Sequence, residues 1–248
     1  MRGFVSILGV LLVLLVVSPL AFSQDSAGVR LINLSPDTKQ VDLWVDGALT
    51  REFLQYSVAS DYINLSGGTH QIQVHAARGE SVLAQLQVEV SVAAKYTIGL
   101  TGLSAQNNLK LFSLADDQSS SFVYAKVRFV NATPGMPAVD IAIADSRTVL
   151  VSNLGYQQSS PYVQVQPGVY DLEVRAAGTT NVLYTIPKAG LSRAANCTIY
   201  MTNVGTNETL ETTHTFEANS HLENNQIVIG LILWAALLAW FVQNHAKS

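Results

Sequence analysis

Side chains that could do acid–base or metal chemistry are few in this sequence. Of the five histidines, the closest pair is His70 and His75, which lies in a strand-like stretch. Residues an odd number of positions apart on a strand point to opposite faces, so these two cannot share a metal ion. We find no H-E-x-x-H, G-x-S-x-G, phosphate-loop or dinucleotide-binding motif. The sequence therefore predicts no catalytic residue, no metal site and no cofactor, and we expect a protein that is not an enzyme.

Two further groups have functional and structural interpretations. The adjacent carboxylates Asp116 and Asp117 lie in the polar stretch ADDQSSS and could join a calcium site. Calcium takes six or more oxygen ligands, so a solvated linker is the favoured interpretation. Tyr56 and Tyr156 are the candidate contacts for a partner.

A unit that the chain contains twice must position these residues. The stretch VRLINLSPDTKQVDLWVDG, residues 29–47, returns about a hundred residues later as VRFVNATPGMPAVDIAIAD, residues 127–145. The polar and proline residues that recur form the repeat signature, which is Arg30, Asn33, Pro36 and Asp42 in the first copy and Arg128, Asn131, Pro134 and Asp140 in the second. A repeat of this length predicts two copies of one domain.

Each copy has the pattern of short strands. Apolar residues alternate with polar ones in VDLWVD, HQIQV and YDLEV, and no stretch between the chain ends shows a sustained helical period. Turn residues recur about every ten residues. We therefore predict an all-β fold of two tandem β-sandwiches, each made of two antiparallel sheets packed face to face.

The repeat signature favours structural roles. Asn with Ser or Thr and Pro is typical of a turn at the end of the first strand. Arg30 and Asp42 share the face opposite the apolar residues, as do Arg128 and Asp140, which predicts a cross-strand ion pair of about 0.2–1 kcal/mol if the two strands are neighbours. Cys197, the one cysteine, excludes an intramolecular disulfide and is predicted to be a buried core thiol.

The two chain ends are apolar. Residues 1–23 have a positive start, an apolar run and small residues before a cleavage point, which is typical of a signal peptide. Residues 227–242 are an unbroken apolar run that predicts a transmembrane helix about 24 Å long. Glu223 before this run and Lys247 after it predict a single-pass type I protein whose bulk is extracytoplasmic. A lipid-anchor signal is the alternative for this end.

Small residues in the predicted helix, Gly230, Ala235 and Ala239, are spaced to allow close packing against another helix. The predicted layout is a signal peptide over 1–23, a first β-sandwich over 24–115, a linker over 116–122, a second β-sandwich over 123–216, a polar stalk over 217–226, the transmembrane helix over 227–242 and a cytoplasmic tail over 243–248. A net charge of −4 without a basic cluster excludes nucleic acid as a partner.

The first repeat, with VRLINLSPDTKQVDLWVDG followed by YINLSGGTHQIQVHAA, resembles a family of bacterial secreted modules catalogued only as a domain of unknown function. The resemblance extends over residues 28–203 and implies tandem immunoglobulin-like sandwiches. The second copy departs from the family pattern because Ala144-Asp145 replaces the Asp-Gly turn. The V-R-x-x-N starts also give a remote likeness to the periplasmic accessory factor of alginate O-acetylation.

These observations lead to one main functional hypothesis and two alternatives. We expect a membrane-anchored envelope protein whose sandwiches bind or scaffold a protein or polysaccharide partner. One alternative is an accessory subunit of a membrane complex that modifies exopolysaccharide. The other, an enzyme, lacks any motif in its support.

Overall fold

The computed structural model describes residues 26–119, 121–146, 148–193, 195–204 and 210–218. These residues form an all-β fold, as predicted, to which the short 3-10 helix Ser104–Gln106 is added. The predicted signal peptide and the predicted transmembrane helix, with Gly230, Ala235 and Ala239, lie outside the described residues. Within the described ranges, no helix has the length and apolar character needed to cross a bilayer.

The first repeat forms two four-stranded sheets. Its strands are β1 (Ser26–Asn33), β2 (Gln40–Val45), β3 (Ala48–Gln55), β4 (Ile63–Ser66), β5 (Gly68–Ala76), β6 (Val82–Val90), β7 (Lys95–Thr101) and β8 (Lys110–Asp116). One sheet has the order β4-β1-β7-β8 and the other has the order β3-β2-β5-β6. Side chains from both sheets form one core, which includes Val29, Leu31, Leu43 and Val74.

The second repeat has the same topology. Its strands are β9 (Ala125–Asn131), β10 (Val139–Ile143), β11 (Val149–Leu154), β12 (Gln158–Ser159), β13 (Val163–Val165), β14 (Gly168–Ala176), β15 (Val182–Leu191), β16 (Ala195–Val204) and β17 (Leu210–Ala218). The sheets are β12-β9-β16-β17, with β13 also on β9, and β11-β10-β14-β15. Cys197 is buried in the core between them, as predicted, together with Ile199 and Met201.

The sheets are not wholly antiparallel, and in this respect the prediction was wrong. Strand β1 runs parallel to β7, and β9 runs parallel to β16 at the equivalent place. The other pairings between named strands that the structure describes are antiparallel. Alternation of apolar and polar residues shows which face a side chain occupies, but it carries no information about the direction of the neighbouring strand.

The two repeats pack against each other through the outward faces of the β1 and β9 sheets. A third apolar cluster lies between them and contains Ile32, Leu34, Val130, Ala132 and Tyr200, each no more than 1% exposed. Hydrogen bonds cross the same interface, because the Thr101 hydroxyl donates to the Ala132 carbonyl at 3.3 Å and the Thr213 hydroxyl donates to the Ser57 carbonyl at 2.8 Å. The repeats therefore form one continuous body.

A glycine makes room for an aromatic ring in this interface. Gly99 on β7 pairs with Phe112 on β8, and the Phe112 ring packs against the third apolar cluster. A Cβ atom at Gly99 would overlap that ring. The absence of a side chain at Gly99 is thus a requirement of the packing between the repeats.

Changing Gly99 to alanine is expected to lower the free energy of unfolding by about 1–3 kcal/mol, because the added methyl group must displace the Phe112 ring. Urea denaturation of the purified full chain measures this loss. Gly190→Ala is the control, since a Cβ atom at Gly190 would meet nothing within 4 Å. Equal stability of the two variants would show that Phe112 does not depend on this space.

Candidate functional site

The predicted pairing of Arg30 with Asp42 does not occur. Strand β1 lies in one sheet of the first repeat and β2 lies in the other, and β9 and β10 are separated in the same way. The prediction that Arg30 pairs with Asp42, and Arg128 with Asp140, was therefore wrong. Both residues of each pair do point away from the apolar core of their own sheet, but those outward faces belong to opposite sides of the sandwich.

Each signature aspartate instead fixes two irregular backbone segments. The buried carboxylate of Asp42 accepts the backbone N–H of Phe53 at 2.8 Å and that of Arg78 at 3.0 Å. Both donors adopt the left-handed conformation, with φ of 54° and 59°, which is costly for a residue with a side chain. The second repeat has the same arrangement, in which Asp140 accepts the N–H groups of Asn153 and Gly178 at 2.7 and 2.9 Å.

The signature asparagines hold the turn after the first strand, as predicted. Asn33 Oδ1 accepts the N–H of Ser35 at 3.1 Å, and Asn33 Nδ2 donates to the Thr38 carbonyl at 2.7 Å. Asn131 Oδ1 accepts the N–H of Thr133 at 3.3 Å in the second repeat. Pro36 and Pro134 lie in the turns that follow, where a fixed φ favours the bend.

The signature arginines are held by two equivalent sets of side chains. The Arg30 guanidinium lies 4.6 Å from the centre of the Tyr62 ring, and its Nε donates to Thr97 Oγ1 at 2.8 Å. The Arg128 guanidinium lies at the same 4.6 Å from the Tyr162 ring, and its Nε donates to Thr198 Oγ1 at 3.1 Å. A cation–π contact and a threonine hydroxyl that accepts the Nε–H hydrogen bond hold both arginines on the faces that meet between the repeats.

Asp116 joins these two arginines. Arg128 Nη2 donates to Asp116 Oδ1 at 2.7 Å, and Arg30 Nη2 lies 3.6 Å from Asp116 Oδ2. Thr97 and Tyr62 donate to the same Oδ2 atom, at 2.6 and 2.8 Å. The Asp116 side chain is fully buried. We name Arg30, Asp116 and Arg128 the arginine clasp.

The favoured interpretation of Asp116 as a solvated linker residue was wrong, because Asp116 ends β8 inside the interface. Burial alone lowers the pKa of Arg128, but the neighbouring Tyr162 and Asp116 more than offset it, so the pKa of Arg128 is raised. The guanidinium therefore stays charged at the contact. The next carboxylate, Asp117, is partly exposed and receives a hydrogen bond from Lys126 Nζ at 2.7 Å.

The two histidines on β5 are separated, as their odd spacing predicts. His70 Nδ1 lies 2.7 Å from Asp46 Oδ2, and His70 Nε2 lies 2.9 Å from the Ser66 carbonyl oxygen. The hydrogen bonds to Asp46 and to Ser66 raise the pKa of His70. The hydrogen bond from His70 is in turn the main reason why the pKa of Asp46 is lowered. Asp46, with φ of 50°, and Gly47, with φ of 79°, form the predicted turn.

This pair gives a pH dependence with a defined sign. Because the pKa of His70 is raised on folding, its stabilising contribution is complete below about pH 6.5, the ordinary histidine value, and is lost as pH rises through the folded pKa. Because the pKa of Asp46 is lowered on folding, the stabilisation by this pair is also lost in acid, as the pH falls below about 4. We expect the stability difference between wild type and His70→Gln to be largest between these limits.

Urea denaturation from pH 4 to pH 9 measures that difference. His75→Gln is the matched control, because neither ring nitrogen of His75 meets a carboxylate among the residues that the structure describes. A difference between wild type and His70→Gln that stays constant across this range would contradict the assignment.

The other histidine, His75, belongs to an aromatic pair on the outward face of β2 and β5. Its ring stacks on Trp44 with the centroids 4.9 Å apart and an interplanar angle of 19°. Trp44 Nε1 and both ring nitrogens of His75 are buried and have no hydrogen-bond partner among the described residues. Buried polar atoms are nearly always paired in native proteins, so this group needs an explanation.

Glutamines lie beside Trp44 on the β5 side, and Leu49 of β3, which is 44% exposed, lies opposite Trp44 on the other side. In the register of the sheet, Trp44 lies opposite Gln73, which lies opposite Gln85, while Gln71 lies opposite Gln87 in the next outward row. Gln71 Nε2 donates to Gln85 Oε1 at 3.1 Å. Sequence reasoning did not identify this face, although alternating glutamines in HQIQV and AQLQV were a visible signal. We name Trp44, His75 and these four glutamines the Trp44 face.

The second repeat does not reproduce the Trp44 face. The equivalent register places Ala142 opposite Glu173, and Asp140 opposite Arg175. Arg175 and Glu173 form an ion pair at 2.6 Å. The duplicated unit has thus kept its interior and its signature residues, while this outward surface has diverged.

The candidate contact residues Tyr56 and Tyr156 are both half-buried, and Tyr56 contacts the other repeat. The Tyr56 hydroxyl donates to Thr202 Oγ1 of the second repeat at 2.8 Å. Tyr56 also lines an open cleft of about 400 Å³ together with Pro36, Lys39 and Gln55. The Tyr156 hydroxyl is buried and has no hydrogen-bond partner among the described residues. Their role in contacting a partner stays a prediction.

Comparison with known proteins agrees with the duplication. A family model described as "Domain of unknown function (DUF4397)" matches residues 27–142 and again residues 125–232. No curated protein matches the chain. Among solved structures, the chain is similar to the C-terminal domain of AlgF from P. aeruginosa, with 20% identity over 38% of this chain and 98% of that domain, at a TM-score of 0.30. The tandem match confirms the resemblance recognised in the sequence.

Proposed function

Because this chain belongs to the family described as Domain of unknown function (DUF4397), we propose its function from its own geometry. It is a non-enzymatic protein of the cell envelope, and its two immunoglobulin-like repeats form a rigid scaffold for a protein or polysaccharide partner. The signal-peptide pattern of residues 1–23 and the apolar run of residues 227–242 support export and anchoring by a single C-terminal helix.

One observation carries this proposal: the polar side chains that recur in both repeats make their hydrogen bonds and ion pairs within the fold. Their acceptors and donors are internal: the aspartates bind backbone N–H groups, the asparagines bind turns, and the arginines meet at Asp116. These side chains are buried, none of them more than 8% exposed. The residues retained in both copies therefore maintain the fold, as a scaffold requires. Catalytic residues would instead direct their polar groups towards a substrate.

Stiffness between the repeats supports the same role. Where two domains are joined by a flexible linker and a small polar contact, relative motion is expected. Here the apolar cluster between the sheets, the arginine clasp and the hydrogen bond from Tyr56 to Thr202 connect the repeats. A body of fixed shape displays its outward faces in constant geometry and binds without first ordering its domains.

A pull-down from a detergent extract tests the proposal. Tagged full-length chain and a variant lacking residues 226–248 are compared for bound proteins and bound glycan. Retention of a partner by both forms supports the scaffold. Stoichiometric membrane proteins that are lost on truncation favour the alternative, an accessory subunit of a membrane complex that modifies exopolysaccharide. Hydrolase or transferase activity that one conservative surface substitution abolishes would overturn both.

A further inference from the structure

The Trp44 face offers a flat aromatic surface with a polar surround. Trp44 is half-buried, so part of its indole is open to solvent, and the His75 ring stacks on it. His75 is 8% exposed and lies on the outward side of β5, in register with Asp42. An aromatic ring supported in this way presents an apolar surface whose edge carries a polar atom.

The unpaired ring nitrogens give the face its chemistry. Nε1 of Trp44 is a donor, and a neutral imidazole has one donor and one acceptor. A ligand hydroxyl is both donor and acceptor and can satisfy either kind of atom. All three nitrogens are buried, so a ligand lying on the open part of the indole reaches them only after a small side-chain adjustment that keeps Trp44 stacked on His75, and such adjustments are common on binding.

The glutamines extend the same pattern across the sheet. Gln73 and Gln85 continue the row that begins at Trp44, across two strand spacings of about 5 Å each. Gln71 and Gln87 form a second row beside it. Each amide has donors and an acceptor without a charge. The Trp44 face is therefore an uncharged strip of hydrogen-bonding groups beside an aromatic ring.

From this arrangement we infer that the Trp44 face binds a neutral polysaccharide, an inference that rests on the proposed scaffold function. A sugar ring has one apolar C–H surface and a rim of hydroxyls, which match the indole and the glutamine amides respectively. A polyanion would need basic side chains, and the Trp44 face has none. A protein partner would be expected to meet an apolar centre within a polar rim, whereas here four amides extend from one aromatic ring and its apolar neighbour Leu49. The face is also accessible, because the repeats pack through the other sheet of the first repeat.

Affinity electrophoresis of the detergent-solubilised full chain, in a detergent without a sugar headgroup, tests the inference. Gels contain one of three neutral polymers (dextran, galactomannan or a soluble mixed-linkage glucan) or one polyanion (polygalacturonate). We expect retardation by at least one neutral polymer and none by the polyanion. Trp44→Ala is expected to weaken binding about tenfold or more, as for a central aromatic contact, and Trp44→Phe should restore part of the affinity.

Two further variants control for misfolding and for non-specific binding to the polymers. Gln85→Ala alters an exposed side chain at the rim and should weaken binding without changing the urea midpoint. Phe122→Ala removes an aromatic ring that is 71% exposed but lies outside the Trp44 face, and it should leave binding unchanged. No retardation by any of the three neutral polymers overturns the inference, and so does retardation that survives both Trp44→Ala and Gln85→Ala. Neither result contradicts the scaffold, which the pull-down tests separately.

Discussion

Replacing Asp116 with alanine is expected to lower the free energy of unfolding by about 3–5 kcal/mol. The change leaves Arg30 and Arg128 without the carboxylate that they share, in a site where Asp116 is fully buried and both arginine side chains are nearly so. The hydroxyls of Thr97 and Tyr62 lose the same acceptor. Urea denaturation followed by circular dichroism measures the loss.

The neighbouring carboxylate supplies a matched control. Asp117 pairs with Lys126 at 2.7 Å, but the Asp117 side chain is 27% exposed, so Asp117→Ala should cost only about 0–1 kcal/mol. Two adjacent aspartates would then differ several-fold in their contribution to stability. Equal losses in the two variants would contradict the assignment of Asp116 to the arginine clasp.

Asp42→Ala should destabilise the protein by about 2–4 kcal/mol, because two backbone N–H groups lose their acceptor. Those groups belong to Phe53 and Arg78, which the carboxylate holds in the left-handed conformation. Asp140→Ala should cause a loss of similar size, since the second repeat uses Asp140 in the same way. Chemical denaturation of both variants tests the magnitude and the equivalence together.

Asp61 is exposed and serves as the control, with an expected change within about 0.5 kcal/mol on replacement by alanine. Asp42→Asn is informative as well, because the amide keeps one acceptor oxygen and should cost less than alanine. If Asp42→Ala and Asp140→Ala both match Asp61→Ala, the two carboxylates do not support the irregular segments.

Much of the fold could be predicted because duplication and alternation are local signals. The repeated Arg, Asn, Pro and Asp marked two copies of one unit, and the period of two identified Val29, Leu31 and Leu43 as core residues, which the structure confirms. The turn role of Asn33 was also predictable, because asparagine bonds its own backbone two residues on. The alternation of apolar and polar residues does not show which strand lies beside which. The predicted pairing of Arg30 with Asp42 failed for that reason.

The arginine clasp was missed because its aspartate belongs to neither repeat signature. Asp116 lies in a polar stretch whose composition is typical of a linker, and its burial depends on partners distant in sequence, which are Arg30, Tyr62 and Thr97 of the first repeat and Arg128 of the second. The Trp44 face was missed for a related reason. The odd spacing of His70 and His75 excluded a shared metal ion, but it did not show that His75 would meet Trp44 on the adjacent strand.

The contrast between the two repeats suggests how the unit is used. The signature arginines, asparagines and aspartates recur in both copies, whereas Trp44 and His75 are replaced by Ala142 and Arg175. If one copy carries the proposed binding face and the other has only a structural role, the surface residues of the two copies are expected to differ while their core residues stay alike. On this view the second repeat supports and orients the first.

Differential scanning calorimetry of the full chain tests most directly whether the arginine clasp makes the two repeats one body. We predict a single transition for the wild type, with equal calorimetric and van't Hoff enthalpies. Asp116→Ala should broaden this transition or split it in two as the repeats uncouple. Two separate transitions in the wild type, at temperatures that Asp116→Ala leaves unchanged, would contradict the account.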